Sequence, residues 1–356
     1  MAQPLVSICI PTRNRAGALR ETLPKILAQH YAPLEILISD NGSTDGTEAL
    51  CREAASRDPR IRYFRQKENI GLYGNHNFLI DQARGEFLGF FHDHDEHDPS
   101  LVEQYVRFLQ DHPEAGVVCS DWELIDEEGR GLGIRSYPTA PVLPGLTYIE
   151  QTFRSGRSSV ATPGALIRRS ALADIRFNEQ GAIGFGDFPV WFRIAESHAV
   201  GHLSQVLWKW RQQRQSQSAR TIESMARDYD ENLSRYCDEH LTRWPQHKRR
   251  VARWRREIRR YLFWALAFEV GLHVRTQSQA HPLRAEDQPT LFEILGYRLS
   301  PEAFRHAVDQ MRMYRTGIIE SASFLVILAL VRWKIASPLA WATRNAELFR
   351  RLLKLC

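Results

Sequence analysis

The chain has only five cysteines in 356 residues, and their placement excludes two architectures. Cys9, Cys51, Cys119, Cys237 and Cys356 are odd in number, far apart and never form C-x-x-C. A disulfide framework or a structural zinc site needs closely or regularly paired cysteines, so neither is expected, and a reducing cytoplasm fits. Long apolar runs are missing too. The longest late in the chain is 324–331, too short for a bilayer that takes about 20 residues to cross. No basic-then-apolar segment opens the chain, so no secretory signal is expected. Glycine-rich phosphate loops are also absent: neither G-x-G-x-x-G nor G-x-x-x-x-G-K-[ST] occurs, which excludes a Rossmann dinucleotide site and a P-loop. Internal repeats and low-complexity tracts are not found.

What remains is globular in composition, with 43% hydrophobic and 25% charged residues. The length suits one large domain with an appendage, or two domains. The net charge of +5 is unevenly spread. Residues 225–356 hold 23 Lys+Arg against 14 Asp+Glu, while residues 1–224 hold 24 against 28. An acidic front and a basic back imply different jobs.

The most informative stretch is Phe90 to Pro99, FFHDHDEHDP, where an apolar run breaks into Asp93, His94, Asp95, Glu96 and Asp98. Crowded carboxylates repel one another and are tolerated where a cation sits among them. Its setting is a repeating pattern. Val6–Ile10, Leu34–Ser39, Ile61–Phe64, Glu86–Phe91 and Gly116–Ser120 read as strands, the first stopped by Pro11. Helical spacing lies between them, over 15–30, to about Ala55, over Tyr73–Ala83 and over Ser100–His112, with Ser43 or Thr44 as the expected cap of the second helix. This βαβαβαβαβ order predicts an α/β fold with a mostly parallel, doubly wound sheet. The loops after three strands, at Pro11–Arg15, Asp40–Ser43 and Asp93–Asp95, are then expected on one sheet edge, where such folds bind ligands. Asp40 there can accept from the N–H of a base. Asp126 to Pro144 reads as loop or hairpin, and the chain after Met225 as helical.

Eight sequence blocks carry a resemblance. They are Val6–Arg15 (VSICIPTRNR), Glu35–Thr47 (EILISDNGSTDGT), Asn69–Asn77 (NIGLYGNHN), Ala83–Pro99 (ARGEFLGFFHDHDEHDP), Gly116–Asp121 (GVVCSD), Pro163–Leu172 (PGALIRRSAL), Phe185–Ile194 (FGDFPVWFRI) and Leu207–Ser218 (LWKWRQQRQSQS). In this order they resemble the family 2 glycosyltransferases of GT-A fold over roughly residues 4–220. The resemblance implies a GT-A domain over 1–222, with a nucleotide-binding half (1–121) and an acceptor-binding half (122–222), before a basic helical region (223–356). It also implies an inverting enzyme that takes a sugar from a nucleotide diphosphate donor, most simply a UDP-sugar. Pro11, Thr12, Arg13, Arg15, Asp40, Asn41, Gly71, Asn77 and Asp93 fall on nucleotide-binding positions, and Asp93, His94 and Asp95 on the Mn²⁺ or Mg²⁺ site. Asp187 falls on the general base, with Asp121 and Glu179 as the acidic alternatives. The chain departs from the family pattern at His92 and His94, where carboxylates are usual, at His76, where Arg is common, and at Gln213, where His is common. Imidazole also binds manganese, so the metal site survives these changes. Two other readings stay open: a nucleotide-sugar-binding protein without transfer activity, and a nucleotidyltransferase on a similar sheet.

The basic region holds two amphipathic segments, 248–260 and 339–355. Such segments read either as membrane-surface helices facing anionic lipid or as a bundle packed on the catalytic domain or a second subunit. The first reading places the chain peripherally on the inner face of the cell membrane, beside a saccharide or lipid-linked saccharide acceptor. No nucleic-acid motif accompanies the charge.

Overall fold

The structure is a computed structural model. It describes residues 3–137, 140–179, 186–212 and 222–259, with the side chains of 222–231 left aside. The chain forms two compact units. The first comprises Met1–Thr152 and Arg157–Gln213; the second comprises Phe153–Gly156 and Arg214–Cys356.

The first unit is built on one ten-stranded sheet. Its strands are β1 (Val6–Thr12), β2 (Leu34–Asp40), β3 (Ile61–Arg65), β4 (Phe87–Phe90), β5 (Glu96–His97), β6 (Ala115–Ile125), β7 (Gly131–Arg135), β8 (Val142–Leu143), β9 (Ala165–Arg168) and β10 (Ala199–Arg211). The order β3-β2-β1-β4-β9-β6-β10-β5 is parallel across its first four strands. Val6, Ile8, Cys9, Ile10, Ile36, Leu37 and Ile38 are all fully buried, which accounts for their unbroken apolar runs: helices cover both faces of these central strands. The helices between them are α1 (Ala16–Leu27), α2 (Thr47–Arg57), α3 (Leu72–Gln82) and α4 (Leu101–Asp111).

The elements differ from the sequence reading in three informative places. Strand β1 runs through Pro11 to Thr12. Cys9 O accepts from Phe91 N, and Thr12 O accepts from Asn41 N, both at 2.9 Å. Successive residues of a parallel strand bond to opposite neighbours, so Pro11 faces the same side as Cys9. The missing N–H of Pro11 therefore faces the β4 side, where pairing has ended at Cys9 and Phe90, and costs the β2 ladder nothing. Helix α2 is not capped by Ser43 or Thr44. Asp45 precedes it instead, accepting from Thr47 N at 3.0 Å. Finally, β9 slots antiparallel between β4 and β6, so these two share a direction without touching. The region 126–144 contains the expected hairpin, β7 lying antiparallel to β6.

Later elements of the first unit are α5 (Gly145–Ser155, whose end belongs to the second unit), a 3₁₀ turn Thr162–Gly164, α6 (Arg169–Leu172) and α7 (Phe188–Ala195). In the second unit, α8 (Ile222–Arg243) is followed by helical residues 248–259. Trp254 there is 1% exposed, stacked on Phe153 at 5.3 Å and tilted on His240 at 4.9 Å. Val251 and Ile258 are buried beside it in sequence. The apolar face that the membrane reading would sink into lipid is thus already packed within this unit. Lys248, Arg249, Arg253, Arg256 and Arg259 are exposed. The segment 339–355 lies outside the described residues.

Candidate active site

The three loops meet at the carboxyl ends of β1, β2 and β4. Thr12 and Asp40 are register partners. Asn14 N donates to Ser43 Oγ, and Thr44 N donates to Asn14 Oδ1, both at 2.8 Å, which joins the first two loops. Thr22 Oγ1 of α1 donates to Asp93 O at 2.9 Å and ties in the third.

Asp40 is fully buried, with Oδ1 accepting from Ser43 N at 2.8 Å and Oδ2 from Tyr63 Oη at 3.0 Å. Thr12 is buried beside it, and its hydroxyl has no partner among the described residues. Pro11 and Arg15 are half-buried and Arg13 is exposed; Arg15 N donates to Thr47 Oγ1 at 3.1 Å. Asn41 is engaged by protein. Its Nδ2 donates to Asn69 Oδ1 (2.8 Å) and Gly71 O (3.0 Å), and its Oδ1 accepts from Ile70 N (2.8 Å). Asn41 therefore pins the loop before α3, where Gly71 takes a φ of 80° that favours glycine. Asn77 is likewise engaged by protein. It clamps Phe177 by a donor and an acceptor bond to its backbone, both 2.9 Å, and donates to Glu179.

The acidic loop gathers side chains that could hold a cation. Ligand atoms of His92, His94 and Asp95 lie within 4.8 Å of one another. Asp93 stands outside this group, its Oδ1 2.9 Å from His94 Nδ1. A carboxylate behind one imidazole nitrogen orients the ring and leaves Nε2 for a cation. Asp95 is buried. Its Oδ1 accepts from Arg211 N at 2.9 Å, and its Oδ2, 3.6 Å from His92 Nδ1, has no hydrogen-bond partner among the described residues. Burial, reinforced by Asp93, pushes the Asp95 carboxyl up to about 6 against the pull of His94 and Arg211. For His92, burial and the neighbouring imidazoles of His94, His76 and His97 hold the pKa well below the usual value, leaving the neutral form that ligates metals. For His94 burial opposes the charge, but Asp95 and Asp93 outweigh it and raise the pKa.

Sequence reasoning missed the part played by Arg211. From the end of β10 its Nε donates to His94 O (3.1 Å), its Nη2 to Glu96 Oε1 (2.6 Å) and its Nη1 to Glu127 O (2.9 Å). One guanidinium thus fixes the cluster from behind. Its position inside a recognisable block was the available signal.

Asp187 stands directly before α7, half-buried. Its Oδ2 accepts from Thr162 Oγ1 at 2.9 Å and from Trp191 Nε1 at 3.1 Å. Burial raises its pKa, against the lowering effect of those two donors. A ring relay connects it to the cluster: Trp191 packs on Phe177, Phe177 on His76 and His76 on His92. Asp121, in contrast, is buried against His202 Nε2 at 2.9 Å and Ser136 Oγ at 2.8 Å. Gln213 lies outside the described residues.

Comparison with known proteins decides what this arrangement belongs to. Residues 7–176 match the family model Glycosyl transferase family 2. This segment, just under half of the chain, is similar to the family 2 glycosyltransferases. A Campylobacter jejuni GalNAc(5)-diNAcBac-PP-undecaprenol β-1,3-glucosyltransferase is 39% identical over 94 residues, 26% of this chain and 30% of that protein. The chain covers less than half the length of the other curated relatives it matches first. Staphylococcus aureus TarS 1–349 in complex with UDP-GlcNAc superposes with a TM-score of 0.58 at 17% identity, over 92% of this chain and 87% of that one. Mannosyltransferase PcManGT from Pyrobaculum calidifontis, with GDP-Man and Mn²⁺, gives 0.53 at 18% identity, over 94% and 88%. At these identities the two structures show a shared GT-A fold.

Proposed function

We propose that this chain is an inverting glycosyltransferase, moving a sugar from a nucleoside diphosphate donor, UDP above all, to an acceptor hydroxyl. The observation that carries the reading is the convergence of His92, His94 and Asp95 beside the Thr12–Asp40 edge of a segment similar to the family 2 glycosyltransferases. The donor set suits a divalent cation: one buried carboxylate oxygen without a partner, one neutral imidazole and one imidazole oriented by Asp93. Mn²⁺ or Mg²⁺ held there would neutralise charge on the departing diphosphate. Thr12, with its free hydroxyl, and Asp40 face the base and ribose; Asn41 and Asn77 shape the site through Gly71 and Phe177 rather than by touching nucleotide.

Asp187 takes the acceptor proton as the new bond forms. Thr162 and Trp191 aim the carboxylate through Oδ2, and the backbone N–H groups of Asp187 and Phe188 also steady it. Its raised pKa makes it a stronger base than a surface carboxylate. The acceptor is a cell-surface saccharide, lipid-linked in the manner named for the Campylobacter relative, with the exposed basic face of 248–259 turned to anionic lipid headgroups.

The test is Asp187→Asn. UDP affinity should stay within about twofold while sugar transfer falls on the order of 10²–10⁴. Near-normal transfer would overturn the assignment. A wild-type protein that binds UDP but neither hydrolyses nor transfers from any UDP-sugar would favour the binding-protein reading.

A further inference from the structure

A row of three tryptophans leads away from the candidate base. Trp208 is 2% exposed and packs so closely on Gly164 that a Cβ there would lie 2.1 Å from Trp208 Cε2. Gly164 ends the 3₁₀ turn whose first residue, Thr162, donates to Asp187. The Trp122 ring lies 5.3 Å from that of Trp208, and Trp210 lies 5.2 Å beyond Trp122, meeting it edge-on. Exposure rises outward along the row, to 7% at Trp122 and 38% at Trp210.

The strand register puts two more features on this face. Trp122 pairs with Arg135, and Leu124 pairs with both Trp210 and Gly133. Directly opposed residues of an antiparallel pair share a face. Gly133 leaves open space where a Cβ would stand. Arg135 is half-buried; its guanidinium makes no side-chain hydrogen bond or ion pair among the described residues, and its charge acts on Tyr137. An exposed indole, an unpaired guanidinium and an open notch thus lie on one face of β10, β6 and β7.

We propose that Trp210 and Arg135, with Trp122 packed behind the Trp210 indole, form a saccharide subsite on the acceptor side of the centre. The proposal rests on the glycosyltransferase reading and names the binding surface for sugar units remote from the reacting hydroxyl. A flat indole offers a large apolar face at little entropic cost, and its polarised ring attracts the C–H face of a pyranose. The guanidinium fork donates to the sugar's hydroxyl oxygens. β-Linked pyranoses present the flattest C–H faces and are the class this platform suits.

The experiment is saturation-transfer NMR with cellotriose and chitotriose on the full chain, with UDP affinity measured by calorimetry in parallel. Wild type should transfer saturation to the ring protons of at least one trisaccharide. Trp210→Ala should weaken that binding roughly tenfold, Trp210→Phe should restore part of it, and Arg135→Ala should weaken it several-fold. UDP affinity should be unchanged in all three. Equal trisaccharide affinity in Trp210→Ala and wild type, or no binding of either probe to wild type, overturns the subsite even when UDP binds. Loss of UDP binding in wild type itself would instead strike the glycosyltransferase reading.

Discussion

Arg211 donates its backbone N–H to Asp95 Oδ1 across 116 residues of sequence, at 2.9 Å. Its side chain then holds His94 O and Glu96 from the same side. The end of β10 and the acidic loop are therefore one unit, and the cluster proposed to hold a cation depends on both.

Arg211→Ala should loosen that unit. Removing charged hydrogen bonds from a largely buried group costs about 1–3 kcal/mol. Glu96 keeps Lys25, 2.8 Å away, so the loss falls mainly on the His94 carbonyl and the loop beyond Glu127. Mn²⁺ affinity, read by paramagnetic resonance, should fall about tenfold while the chain stays folded. Unchanged Mn²⁺ affinity would show that the backbone bond to Asp95 alone suffices.

Asp95 gives a pH signature. Its unfolded carboxyl titrates near 3.9, and the folded one at about 6 because burial disfavours the anion. The fold prefers the protonated form. That contribution is complete below about pH 4 and is lost as pH rises through 6. In chelator at pH 7, Asp95→Asn should melt higher than wild type, by on the order of 2 kcal/mol, and should no longer bind Mn²⁺. In wild type, Mn²⁺ affinity should rise with pH up to about 6 as the proton leaves. A flat affinity between pH 4.5 and 7 would contradict the assignment of Asp95 as a ligand.

Gly164→Ala tests the contact behind Asp187, the proposed base. The new methyl would meet the Trp208 indole, held in place by packing on Trp122. Overpacking of this kind costs about 1–3 kcal/mol. Denaturant titration should show that loss, with transfer reduced further because Thr162 and Asp187 shift. A variant of wild-type stability would show that Trp208 has room to move.

Much of the fold was legible because parallel strands buried on both faces write continuous apolar runs, as at Val6–Ile10 and Leu34–Ser39. The three ligand-edge loops followed from strand ends alone. Strand β9 was not legible: four residues, Ala165–Arg168, cannot show a period, and their direction is set by neighbours on both sides. The pair of buried Glu35 with half-buried Arg62 at 2.9 Å was hidden for a similar reason, since a charged residue inside an apolar run shows no partner in sequence. At the site, residue types pointed to a cation but could not rank Asp93 against His92. That depends on which side chain turns inward, and Asp93 turns to His94. Asn41 and Asn77 fell on nucleotide-binding positions by resemblance, yet their amides are satisfied by Asn69, Gly71 and Phe177.

The central claim is a cation-assisted UDP site at the Thr12, Asp40 and His92–Asp95 edge. Calorimetric titration of UDP in Mn²⁺ and in EDTA, on wild type and His94→Ala, tests it most directly. The account predicts UDP binding to wild type in Mn²⁺, at least tenfold weaker binding in EDTA, and a His94→Ala affinity in Mn²⁺ close to the EDTA value. Equal UDP affinity in all of these conditions, or none in any, would contradict it.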